Sequence, residues 1–97
     1  MPAIIKEVNN LPIISQFYGI IVMMFFEGER HHIPHIHIDY AEYSCVFDFE
    51  GNIIRGNIPK KQEKLVQAWI EIHKCELQKL WELAKHKKKI FKIKPLS

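Results

Sequence analysis

The run His31-His32-Ile33-Pro34-His35-Ile36-His37-Ile38-Asp39 places four of the six histidines within seven residues, with an aspartate two positions further on. Imidazole changes charge near neutral pH and is the commonest metal ligand among side chains. Two chemistries fit this spacing. In the first, His35 and His37 project side by side from an extended segment and take one divalent metal such as zinc. Asp48 or a loop histidine is then the third ligand, and a fourth position stays open for substrate. In the second, Asp48 orients and charges His35 for acid/base work, with His37 as a second acid/base group. The plain alternative is the wet face of an antiparallel sheet, which commonly keeps one polar side.

Asp48 joins this group through a hairpin. Residues 35–40 alternate strictly, with His35, His37 and Asp39 on one face and Ile36, Ile38 and Tyr40 on the other. Residues 43–49 alternate too, with Tyr43, Cys45, Phe47 and Phe49 sharing a face. Only Ala41 and Glu42 lie between the two runs, and a two-residue turn fixes the register. Tyr40 then opposes Tyr43, Ile38 opposes Cys45 and Ile36 opposes Phe47, which makes one face wholly apolar. On the other face Asp39 opposes Ser44, His37 opposes Val46 and His35 opposes Asp48. Opposed Cβ atoms lie about 4.5–5.5 Å apart, so the two histidines and two aspartates share one patch.

The remaining elements must hold that hairpin. Phe17 to Phe26 is apolar on both faces and reads as a central strand. Glu27 to Pro34 is a polar loop containing His31 and His32. Glu50-Gly51-Asn52 is a turn, and Ile53 to Gly56 a short fourth strand. From about Lys60 to His86 apolar residues such as Leu65, Trp69, Leu80 and Leu83 recur three and four apart, which predicts an amphipathic helix. Asn57 is placed to cap its start. His73 and His86 fall on this helix and read as structural. Lys89 to Lys94 alternates enough to predict a final edge strand. The expected fold is α+β: an antiparallel meander of four to five strands packed on one long C-terminal helix, straight or kinked. Residues 1–11 read as an N-terminal extension and 12–97 as a single domain.

The chain has 97 residues, 47% of them apolar, which suffices for one core and is too apolar for a disordered chain. Its net charge of +3 is unevenly placed. Residues 1–59 carry three basic and seven acidic side chains, a balance of −4, while residues 60–97 carry eleven lysines and four glutamates, +7. The basic end, with Lys87, Lys88, Lys89 and Lys92, is the candidate contact for RNA, DNA or an acidic partner. Cys45 and Cys75 are thirty residues apart and lie in no CxxC pair, which suits a reducing compartment. No apolar run reaches the roughly 20 residues of a membrane span, so a cytoplasmic, membrane-free protein is expected.

Several segments together resemble a known family. They are Ser15-Gln16-Phe17-Tyr18-Gly19-Ile20, Pro34-His35-Ile36-His37 leading into Tyr40, Tyr43 to Asp48, and Leu65 to Trp69 followed by His73, Glu76, Leu77, Trp81 and Leu83. The chain over about residues 12–96 is similar to the small bacterial family catalogued as domain of unknown function 4160. Two departures stand out: Met1 to Asn10 looks like an added arm, and the basic residue that relatives often carry near Val22 or Met23 is missing. The resemblance brings no settled activity. It implies a second small protein as partner, in a toxin–antitoxin-like arrangement, and some relatives are labelled transcriptional regulators.

The reading preferred from sequence is an interaction module of such a two-protein system, with a homo-oligomer as a further option. The first alternative is a small RNA-cleaving or metal-dependent enzyme using His35, His37 and Asp48. The second is a nucleic-acid-binding regulator acting through the basic end.

Overall fold

The sheet begins with two residues in the left-handed region. Tyr18 (φ 49°) and Gly19 (φ 79°) form a two-residue turn of the kind that matches the twist of paired strands. That turn joins β1 (Ile13–Phe17) to β2 (Ile20–Met23). The run expected as one strand from Phe17 is therefore split, and Phe17 ends the preceding strand. β3 (His35–Tyr40), β4 (Tyr43–Asp48) and β5 (Ile53–Gly56) follow, and all five pair antiparallel in sequence order. This computed structural model describes residues 12–26 and 33–96. The N-terminal extension and the loop histidines His31 and His32 lie outside the described residues.

The hairpin of β3 and β4 has the register read from its turn length, from Tyr40 opposite Tyr43 out to His35 opposite Asp48. Its apolar face is buried: Ile36, Ile38, Cys45 and Phe47 are each at most 4% exposed. Bulges interrupt β1 at Ile14 and β5 at Ile54. The bulge in β1 lets consecutive residues Ile14 and Ser15 both turn away from solvent.

The helical half differs from the expected single helix. It is two helices, α1 (Lys60–Ile72) and α2 (Lys74–Lys85), joined at His73 (φ −111°, ψ 23°). The hydrogen-bond ladder passes through the joint: the His73 amide donates to Trp69 and its carbonyl accepts from Leu77. His73 occupies a polar position within the apolar stripe. Its ring packs against Trp69 and pairs with Glu76, and the helix bends about this residue. Pro59, not Asn57, stands at the N-cap of α1. Val66, Trp69 and Ile70 of α1 and Leu77, Leu80 and Trp81 of α2 bury against one face of the sheet.

The C-terminal segment closes α2 with a Schellman turn. The Lys88 amide donates to Leu83 and the Lys87 amide to Ala84, with Lys87 itself in the left-handed region (φ 56°) that glycine usually fills. Lys89 to Lys94 is not a strand, contrary to expectation, and the fifth strand is β1. The segment runs beside β1, where the Ile93 amide donates to the Ile14 carbonyl at 2.7 Å. Among the described residues no helix is long and apolar enough to cross a membrane.

Candidate functional site

The second face of the sheet carries the predicted site residues. Pairing aligns Met23, His37, Val46 and Arg55 in one row across β2, β3, β4 and β5. Asp39 and Ser44 form the next pair along. A shallow groove of ≈ 330 Å³ follows this row, with Met23, Phe25 and Val46 as apolar lining and His37, Asp39, Ser44 and Arg55 as polar groups. Gly56 also lines it, and its missing side chain lets β5 approach β4.

His37 is half-buried and stacks on Phe25, with ring centroids 4.1 Å apart and planes 11° from parallel. His35 is not on a wet surface: it is 2% exposed, edge-on to His37 and tilted against Trp81, each at 5.1 Å. Its Nδ1 lies 2.7 Å from the Ile33 carbonyl, which can only accept, so Nδ1 carries the proton. Phe25, His37, His35 and Trp81 thus run as a continuous stack from the groove to α2.

Asp48 lies opposite His35, but its carboxylate is engaged elsewhere. Oδ1 accepts from the backbone amides of Glu50 and Asn52, each at 2.9 Å, and Oδ2 from the Asn52 side chain at 3.2 Å. Partial burial pushes the carboxyl pKa up. Hydrogen bonds from the Asn52 backbone and side chain and from the Glu50 and Gly51 backbone outweigh it and hold the pKa below the usual value. The groups that keep Asp48 ionised therefore belong to its own turn, where an Asx-type bond closes the chain reversal. Asp39 accepts from the Ser44 hydroxyl at 2.8 Å. Among the described residues, no group of three His, Cys, Asp or Glu side chains is placed to hold a metal.

A stability prediction follows from Asp48. A carboxyl whose pKa is lower folded than unfolded adds stability above the unfolded pKa, about 3.9, and loses it as pH falls through the folded value. Asp48→Asn is expected to cost about 1 kcal/mol near neutral pH, the wet end of the range for bonds to an ionised group. Its melting temperature should fall less steeply below pH 4 than that of the unsubstituted protein. Parallel acid melts of the two proteins would exclude this role.

Cys45 borders the groove but is not a nucleophile. Burial raises its thiol pKa to about 11, with the charges of Glu63 and Asp39 adding to the shift, so it stays protonated at neutral pH. Cys75 is exposed on α2. Lys87, Lys88, Lys89 and Lys92 are all exposed on the segment after α2, and none of them lines the groove.

Sequence reasoning grouped the histidines with Asp39 and Asp48 but missed Phe25 and Arg55. Phe25 continues the alternation of Ile21 and Met23 and was legible from β2 alone. Arg55 was not: the β5 bulge at Ile54 shifts the pairing that brings it opposite Val46.

The chain matches no curated protein and no solved structure. A family model does match: that of DUF4160, a domain of unknown function, covers residues 19–82, from the first turn through Glu82 of α2, and so takes in the whole histidine hairpin. The chain belongs to this family.

Proposed function

We propose that the domain is a protein-interaction module, one half of a toxin–antitoxin-like pair, and that its partner docks on the face of the sheet opposite α1 and α2. The observation that supports this reading is the groove along the Met23–His37–Val46–Arg55 row. It combines an apolar floor, an aromatic wall in Phe25 and His37, an exposed guanidinium and a carboxylate. Aromatic and arginine side chains around a partly dry centre are the usual anchors of protein interfaces. The interaction reading is preferred to a catalytic one built on His35, His37 and Asp48, because the Asp48 carboxylate is committed to its turn.

The test is co-expression with the product of any small reading frame encoded beside this one, followed by size-exclusion chromatography. A joint peak is expected. The doubly substituted Ser44→Arg, Arg55→Glu protein fills the groove and reverses its cationic side at two exposed positions. It should elute alone while keeping its melting temperature. Two separate monomers with the unsubstituted protein, or a joint peak that survives both substitutions, would overturn the proposal.

A further inference from the structure

The segment after α2 has a sequence of unusual make-up, Lys87-Lys88-Lys89-Ile90-Phe91-Lys92-Ile93-Lys94, and the fold holds it in place. At one end the Schellman turn fixes Lys87 and Lys88 through Ala84 and Leu83. In the middle Ile90 is half-buried and Ile93 is 3% exposed. At the far end the Ile93 amide bonds to Ile14, and the Trp69 indole nitrogen donates to the Lys94 carbonyl at 2.9 Å. The isoleucines face inward, so all five lysines face solvent. Phe91 stays 41% exposed among them. The last acidic residue before the segment, Glu82, is paired with Lys85, and no carboxylate side chain follows it.

From this arrangement we propose that residues 87–94 form a binding strap for single-stranded nucleic acid, with the lysines on successive phosphates and Phe91 as a platform for one base. The strap is distinct from the groove and does not depend on the partner reading given above. Lysine ammonium groups are point charges that neutralise phosphates without reading sequence. An exposed aromatic ring between them adds what an acidic protein surface would not use: a flat face on which any base stacks. A duplex keeps its bases stacked inside and offers Phe91 nothing, so a single strand is the better fit. Anchoring at both ends means that little chain entropy is lost on binding.

The experiment is fluorescence anisotropy with a labelled 20-nucleotide oligouridylate and its deoxy counterpart. Duplex DNA and polyglutamate serve as competitors. With five lysines engaged, log K should fall with log salt at a slope of about −3.5, from roughly 0.7 per phosphate contact on a single strand. Lys88→Gln, Lys89→Gln, Lys92→Gln together should bring the slope to about −1.4. Phe91→Ala should weaken binding about five- to a hundredfold at constant salt slope, the range that stacking of one base covers. All four positions are exposed, and unchanged thermal melts would show that the variants fold. Equal binding of RNA and DNA supports sequence- and sugar-blind contact. A preference for RNA still supports the strap and adds a 2′-hydroxyl contact. Absence of binding at low salt, indifference to Phe91→Ala, or competition by polyglutamate as effective as by oligonucleotide would overturn the proposal.

Discussion

Gly56→Ala should lower the stability of this domain by about 3–5 kcal/mol, because it forces the backbones of two paired strands apart at a left-handed position. Gly56 has φ +82°, and a Cβ there would lie 2.2 Å from the Ser44 carbonyl oxygen and 2.8 Å from the Cys45 Cα. Both atoms are backbone of the neighbouring strand, held by the pairing of β4 with β3, so neither can swing aside as a side chain would. For a domain of this size each kcal/mol shifts the melting temperature by about 4–8 °C, which makes the expected fall roughly 12–40 °C. Gly51 provides the comparison. Its φ is +90°, but a Cβ there would meet only the Gln67 side chain, at 3.4 Å. Gly51→Ala should cost about 1–2 kcal/mol, the backbone penalty alone. Thermal melts by circular dichroism would separate the two, and equal losses would sink the steric explanation. The consequence reaches the groove, since Gly56 lines it and the adjacent Arg55 supplies its cationic side.

The hairpin could be read from sequence because its turn is short and its two faces differ in polarity. Ile36, Ile38, Cys45 and Phe47 leave only one register that buries them together, and that register brings His35 opposite Asp48. Elsewhere the signals were of another kind. The turn between β1 and β2 uses Tyr18 in a left-handed conformation, and tyrosine announces no turn. The run through Phe17 therefore reads as one continuous strand, and the alternation of Lys89 to Lys94 offers a final strand in place of β1. The helix break at His73 left no proline or glycine in the sequence, only a histidine inside an apolar stripe. At the site, opposition of His35 and Asp48 was a matter of backbone geometry and was legible. Which neighbour each side chain chooses was not. The carboxylate is closer in sequence to three amides of its own turn than to any imidazole, and local hydrogen bonds of this type compete well against longer-range partners. His35 in turn is drawn under Trp81, which alternation of polar and apolar residues could not foresee.

Trp69 joins the core to the lysine segment, and two substitutions should separate those tasks. Its ring is fully buried, 5.7 Å from Phe17 between centroids, and its Nε1 donates to the Lys94 carbonyl. Trp69→Ala removes the ring and leaves a cavity between sheet and helix. A loss of about 3–5 kcal/mol is expected from such truncations. Trp69→Phe keeps most of the packing and removes the donor. Lys94 is exposed, so water can replace part of the lost bond, and the expected cost is only about 1–2 kcal/mol. The local effect should be larger than the global one. With the Lys94 carbonyl released, the far end of the strap keeps the Ile93–Ile14 bond and the buried Ile93 side chain. Amide exchange at Ile93 should then accelerate well beyond what the change in global stability produces, because opening there becomes a local event. If Ile93 instead exchanges no faster relative to the core in Trp69→Phe, the indole acts only through packing. If it does exchange faster, the same tryptophan that fills the core also sets how firmly the lysines are presented. Loosening the strap should then weaken oligonucleotide binding without removing a single positive charge.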